Sequence, residues 1–249
     1  MNITIIGYGI MGKAIAKNLS NDSSIKIFTV DVDKKDLSGI KKSDFIILAV
    51  KPQDAPKTIK ELKDYGINKN TIIISIMAGF PIKKIINLSD CKKVIRMMPN
   101  LGLSVGVGIA AWKQLNLSKL EIKKSTNFIN KITENFEVQN EDVLNKITAL
   151  SGSGPAYFFL LAEYLTKAGE KIGLTKEQSK KLVGKTFLAS ALLSKDADYS
   201  MLIEKIASKG GTTEAALKVF KNKNLEKTVL EAVTSAYKRA KKLSKAPLK

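Results

Sequence analysis

The chain has 249 residues, with 42 lysines and arginines against 23 aspartates and glutamates for a formal charge of +19, one cysteine and no histidine. Hydrophobic residues make up 44% of it, enough to build a packed core, which excludes a disordered tail. The lone Cys91 excludes an internal disulfide and a cysteine-rich metal site, and the absence of imidazole removes Ser-His-Asp triads, Cys-His pairs, histidine-bound zinc and histidine general bases together, so no metal site is expected.

In chain order, runs rich in isoleucine and valine fall at 3–6, 25–30, 45–50, 71–77 and 94–98. A glycine-rich stretch at 105–112 reads as a further strand, and 136–139 as another. Segments with helical spacing lie between them at 13–19, 55–63, 82–87 and 120–132. Strands alternating with helices mark βαβ units, so residues 1–144 are expected to form an α/β domain, a Rossmann-type doubly wound parallel sheet. The pattern then changes to helices at 156–172, 176–193, 201–206, 213–220 and 225–243. Thr175, with Gln178 three residues on, reads as a capping box after a stop at Gly173. Residues 145–249 therefore read as an all-α domain. Its apolar positions outnumber what so few helices bury alone, which points to a homodimer or a larger assembly built on dimers.

No apolar run reaches the roughly 18 residues that cross a bilayer, and the first residues lack a charged leader and cleavage site, so a cytoplasmic protein is expected. All basic residues but Arg96 and Arg239 are lysine, spread over the length in pairs such as Lys83-Lys84 and Lys180-Lys181. Nucleic-acid readers lean on the bidentate fork of arginine and on interleaved aromatics, so a solvated basic surface is expected here and neither a nucleic-acid nor a membrane partner.

Gly7-Tyr8-Gly9-Ile10-Met11-Gly12 follows the first apolar run, which ends at Ile6, and opens a helical pattern. In that context Gly7 permits a tight turn, Gly9 lets the backbone approach a pyrophosphate, and Gly12 lets helix and strand pack closely, a dinucleotide-binding arrangement. Asp31 lies 19 residues after Gly12, near the spacing at which an acid accepts the ribose hydroxyls of NADH. Lys34 and Lys35 follow at once and suit the 2′-phosphate of NADPH, so both cofactors stay open, as does a plain turn role for Asp31. Ala49-Val50-Lys51-Pro52-Gln53, Met77-Ala78-Gly79-Phe80 and Arg96-Met97-Met98-Pro99-Asn100 end apolar runs where the carboxyl ends of strands face a ligand crevice. Asn100 has the chemistry to bond a nicotinamide carboxamide, while Lys51 and Arg96 read equally well as structural cations. In Ser208-Lys209-Gly210-Gly211-Thr212-Thr213-Glu214, two glycines and two hydroxyl residues precede a helical run, which makes either an anion cradle of carboxylate size or an ordinary cap.

Taken together, these residues resemble the pyrroline-5-carboxylate reductase family nearly end to end. The resemblance is carried by the fingerprint at 7–12, Ala78-Gly79, Met98-Pro99-Asn100, Ser151-Gly152-Ser153-Gly154-Pro155-Ala156-Tyr157 and Gly210-Gly211-Thr212-Thr213. It implies a Rossmann domain followed by a helical dimerisation domain, and reduction of 1-pyrroline-5-carboxylate to L-proline with NADPH or NADH. It implies cofactor contacts at Ile6 and the fingerprint, at Ala49, Val50, Lys51 and Pro52, and at Met77, Ala78 and Gly79. It also implies a substrate carboxylate held by Ser208, Gly210, Gly211, Thr212 and Thr213, with Thr213 near the ring nitrogen. The family usually has Ser-Pro-Gly-Gly where this chain has Ser208-Lys209-Gly210-Gly211, so a rigidifying proline is exchanged for a cation.

The missing histidine agrees with such chemistry. A ketone needs a positioned acid to be reduced, whereas a cyclic imine protonates readily in water and arrives as an electrophilic iminium. The other readings are a reductase of another cyclic imine acid or of a hydroxy acid, a nucleotide-binding regulator without turnover, and a lysine-rich nucleic-acid binder.

Overall fold

The structure, a computed structural model, describes residues 1–31, 37–195 and 197–245. Strands β1 (Asn2–Ile6), β2 (Lys26–Val30), β3 (Phe45–Leu48), β4 (Ile72–Ser75), β5 (Val94–Pro99), β6 (Ile109–Leu115) and β7 (Glu134–Glu137) form one sheet in the order β2-β1-β3-β4-β5-β6-β7. Every neighbouring pair runs parallel except β5 and β6. That reversal follows from length. The nine residues between β5 and β6 are too few for the crossover a parallel partner needs, so the chain turns back on itself.

The unbroken isoleucine runs are explained by cover on both faces. Along β3, Phe45 and Ile47 enter one core cluster and Ile46 and Leu48 the other, all fully buried. The first cluster is completed by Ala14, Ile15 and Leu19 of α1 (Ile10–Leu19) and by Phe128 and Ile129 of α4 (Lys119–Asn130). Phe45 stacks on Phe128 with ring centroids 4.4 Å apart. The second cluster is completed by Ile59 and Leu62 of α2 (Ala55–Tyr65) and Ile82 and Ile85 of α3 (Ile82–Ser89). Each such side chain contributes about 1.5–3 kcal/mol by leaving water, which makes the two-sided sheet the main source of stability in this part. A short helix, α5 (Glu141–Ile147), capped by the Asn140 side chain, follows β7 and runs into a π-helical turn at Thr148–Gly152.

The expected strand at 105–112 begins only at Ile109. Residues Leu101–Val105 form a 3₁₀ turn, and Gly106 sits in the left-handed region at φ +79°, which a strand cannot accommodate. The expected 136–139 strand is found two residues earlier, and neither α5 nor the π turn was anticipated.

The chain divides into two units, one comprising Met1–Pro155 and the residues from Ser235 on, the other Ala156–Thr234. The helices after the π turn are α6 (Gly154–Lys171), α7 (Lys176–Leu193), α8 (Tyr199–Ile206), α9 (Thr212–Asn222) and α10 (Leu225–Lys245), whose last turns belong to the first unit. The expected capping box starts α7: the Thr175 hydroxyl accepts from Gln178 N, and the Gln178 side chain accepts from Thr175 N. Helices α8 and α9 bury no residue, and Phe158, Phe159, Leu161, Leu188 and Leu192 are exposed on α6 and α7. Among the described residues no helix is long and apolar enough to cross a membrane.

Candidate active site

The fingerprint glycines take up the geometry their spacing demands. Gly7, at φ +93°, donates its amide to Val30 O at 2.8 Å, and a Cβ there would stand 2.7 Å from Ala49 O. A Cβ on Gly12 would fall 2.1 Å from Gly7 O, so only glycine lets α1 begin so close to β1. Around Gly9 the opposite holds: nothing lies within 4 Å of a Cβ built there, and no side chain caps α1. The first bond of the helix runs from Lys13 N to Gly9 O, so the amides of Ile10, Met11 and Gly12 have no acceptor inside the helix. An open helix start with unused amides and its positive dipole end suits a pyrophosphate.

Beside this turn lies a cavity of about 330 Å³. Ile6, Gly7, Val30, Asp31 and Val50 form one side of it, and Gln53, Asp54, Lys57, Thr58, Glu61 and Leu62 the other. The structure thus brings together Ile6, Gly7, Asp31 and Val50 of the expected cofactor residues; Ala49 is joined to them by its amide, which donates to Ile6 O at 2.8 Å. Asp31 is half-buried at the end of β2, while Lys34 and Lys35 lie outside the described residues. Lys51 is exposed in the turn that follows β3, next to Pro52. The wall from α2 was missed by sequence reading, although residues 54, 57, 58, 61 and 62 share one helical face and signal it in retrospect.

Met77 is buried in the core and Ala78 packs on the cluster of Met98, Ala111, Val138 and Leu144, and neither lines the cavity beside the fingerprint. Gly79 has φ +67°, and a Cβ there would stand 2.5 Å from Leu243 Cβ at the end of α10. Asn100 is already engaged. Its Oδ1 accepts from Ile109 N at 3.3 Å and its Nδ2 donates to Ser151 Oγ at 3.2 Å, which leaves one N–H for a ligand. Through that bond the π turn carrying Ser151 and Gly152 stands at the carboxyl end of β5, a neighbourhood that sequence spacing does not reveal. Arg96 resolves to a structural cation, 1% exposed and bonded to Glu141 and Asn145. Close by, the Tyr237 hydroxyl donates to Asp142 at 2.8 Å, which holds that carboxyl below its ordinary range and pushes the phenol up.

In the second unit, Gly211 is the N-cap of α9 with no side-chain cap, and the first helical bond is Ala215 N to Gly211 O. The loop before it closes on itself. Gly210, at φ +73°, donates to Glu214 Oε2 at 2.6 Å, and Gly211 donates to Ser208 O at 2.9 Å. The amides of Thr212, Thr213 and Glu214 form the first turn and have no acceptor inside the helix, whereas the two glycine amides are already bonded within the loop. Thr213 is half-buried, and Ser208 and Lys209 are exposed.

Comparison with known proteins agrees across the whole length. A family model described as pyrroline-5-carboxylate reductase dimerisation matches residues 141–243, and one described as NADP oxidoreductase, coenzyme F420-dependent, matches 2–79. The pyrroline-5-carboxylate reductase of Aquifex aeolicus is 34% identical over 264 residues, covering 98% of this chain and 97% of that one. Among solved structures, the Plasmodium falciparum pyrroline carboxylate reductase with NADP bound superposes with a TM-score of 0.86 at 30% identity, covering 98% of both chains. The pyrroline-5-carboxylate reductase of Coxiella burnetii gives 0.85 at 33%, covering 98% of this chain and 99% of that one. With relatives this similar along nearly its entire length, the chain belongs to the pyrroline-5-carboxylate reductase family.

Proposed function

We propose that this protein reduces 1-pyrroline-5-carboxylate to L-proline, the last step of proline synthesis, using NADPH or NADH. The observation that carries the reading is the bare start of α9, where three amides, Thr213's among them, lack helical acceptors and are available to one carboxylate. Residues 1–144 act as the cofactor domain and 145–249 as the dimerisation and substrate domain of a cytoplasmic homodimer. Ile6, the fingerprint residues, Asp31, residues 49–52, residues 77–79 and Asn100 hold the dinucleotide. Ser208, Gly210 and Gly211 shape the loop, and Thr212 and Thr213 hold the substrate.

The bound dihydronicotinamide supplies a hydride to the carbon of the C=N bond. What the chain must do is modest, because the iminium forms in water without a protein acid. The amides of Thr212, Thr213 and Glu214 fix the carboxylate, and the Thr213 hydroxyl orients the ring nitrogen, which keeps its proton as the bond is reduced. Thr213 is an orienter rather than an acid, since an unperturbed hydroxyl is a poor proton donor. Placing the reacting atoms about 3–3.5 Å apart is the protein's main catalytic contribution. Asp31 favours NADH by accepting the ribose hydroxyls.

The test is oxidation of NADH and of NADPH by purified protein, with and without pyrroline-5-carboxylate, for the unsubstituted chain and for Asp31→Ser. Oxidation that does not depend on the pyrroline, or that proceeds equally with other cyclic imine acids or hydroxy acids, would overturn the substrate assignment. An NADPH preference in the unsubstituted protein would overturn the role given to Asp31.

A further inference from the structure

Arg96 stands in the middle of the sheet, opposite Ser75 of β4 and Lys113 of β6, and is 1% exposed. A charge so buried persists only with partners, and both come from α5. Nη1 donates to Glu141 Oε1 at 3.0 Å and Nη2 donates to Asn145 Oδ1 at 3.1 Å. Glu141 and Asn145 are one helical turn apart, a spacing that the planar fork of arginine spans and a single ammonium does not. This accounts for an arginine at this position in a chain that otherwise takes lysine for nearly every cation.

The same Glu141 oxygen accepts a second bond, from Ile82 N at 3.0 Å. Ile82 opens α3, whose N-cap is Pro81 and which no side chain of its own caps. Glu141 thus supplies the missing cap, satisfying an orphan amide and placing a negative charge at the positive end of the helix. Three residues upstream is Gly79, closed on its other side by Leu243 of α10. That end of α10 is tied to α5 as well: Ser244 Oγ donates to Asn145 Oδ1 at 3.1 Å, and the Tyr237 hydroxyl donates to Asp142.

We infer that Glu141, held by Arg96, is a positioning residue that fixes residues 77–82 through the Ile82 amide, so that the backbone at Ala78 and Gly79 is pre-set for the nicotinamide cofactor. The inference rests on the functional reading above, in which residues 77–79 contact the dinucleotide. Glu141 reaches the cofactor residues through this segment, so its loss is felt in cofactor affinity rather than in turnover, and in stability through its bond to Arg96.

Two conservative variants separate the reach of the oxygen from its charge. Glu141→Gln keeps an oxygen within reach of both the Ile82 amide and Arg96 and loses only the charge; Glu141→Asp keeps the charge and, one methylene shorter, draws the oxygen back from both. Cofactor Kd is measured by nicotinamide fluorescence, together with KM for both reactants, kcat and Tm. We expect Glu141→Asp to raise the cofactor Kd about five-fold, the loss of one hydrogen bond, with kcat and the pyrroline KM within about two-fold, and Glu141→Gln to raise it less. Glu121→Ala, which removes the Lys93–Glu121 ion pair, serves as the stability control and is expected to leave the Kd unchanged. The inference is overturned if Glu141→Gln impairs cofactor binding as much as Glu141→Asp, if both leave it unchanged, or if Glu121→Ala impairs it equally. An unsubstituted protein that binds neither NADPH nor NADH overturns the functional reading itself, a result that cannot be confused with the others.

Discussion

The carboxylate of Glu214 accepts a 2.6 Å hydrogen bond from the amide of Gly210, closing the turn that leads into α9. Gly211 has no side chain with which to cap this helix, so Glu214 reaches back from its first turn and braces the loop instead. Removing the brace frees a residue held at positive φ, and Glu214→Ala is expected to raise the KM for pyrroline-5-carboxylate roughly 3- to 10-fold, about one hydrogen bond, with the cofactor KM unchanged. Steady-state kinetics with each reactant varied in turn provide the check. An unaltered pyrroline KM would mean that the loop keeps its shape without the brace.

Thr213→Ala removes the hydroxyl assigned to the ring nitrogen while leaving the backbone amide in place. It should lower kcat/KM by roughly 10- to 1000-fold, the range for one to two hydrogen bonds in a site. Thr213→Ser, which keeps the hydroxyl, should recover most of that loss. A Thr213→Ala enzyme with ordinary kcat/KM would leave this side chain with no part in the reaction.

Two roles within the fingerprint separate by substitution. Gly12→Ala drives a methyl to within 2.1 Å of Gly7 O and should cost about 1–3 kcal/mol of stability as well as cofactor binding. Gly9→Ala meets open space, so its melting temperature should stay near that of the unsubstituted protein while cofactor affinity falls, because the methyl stands where a pyrophosphate approaches. Thermal melts with and without NADPH compare the pair directly. Equal destabilisation by both would contradict the packing described for them.

Acid sensitivity has a local source at the start of α4. Bonds from Lys93 and from Ser118 lower the Glu121 carboxyl to about 2. A carboxyl depressed in the folded state contributes stability above its ordinary value of about 4.5, and that contribution is lost as pH falls toward 2. The pair lies at the surface, half-buried, so the contribution is about 1 kcal/mol or less. Denaturant melts of the unsubstituted protein and Glu121→Gln should differ at pH 6 and converge near pH 2, and a constant gap across that range would contradict the assignment.

Features that depend on neighbours in sequence were legible. The fingerprint turn, the Thr175–Gln178 capping box and the isoleucine strands each draw on residues a few positions apart, and the structure has all of them. Arg96 was not legible, because its partners lie 45 and 49 residues downstream on a helix of seven residues, too short to show a period. The start of β6 was hidden for a different reason: glycines at 106 and 108 allow extended backbone as readily as a turn, and the structure packs Gly108 closely on Leu103 of the turn. Asn100 was recognised as polar chemistry at a strand end, but of its two structural bonds one goes to Ile109 of β6 and the other to the π turn, which has no sequence signal of its own.

Helices α8 and α9 cover none of their own side chains, and the leucines and phenylalanines of α6 and α7 stand in the open. In the homodimer proposed above a second copy covers these faces, so the midpoint of denaturation of this half should climb as the sample is concentrated. Refolding should then proceed in two regimes: a first-order phase as the sheet closes around its isoleucines, and a second-order phase whose half-time is cut in two when the amount of chain in solution doubles.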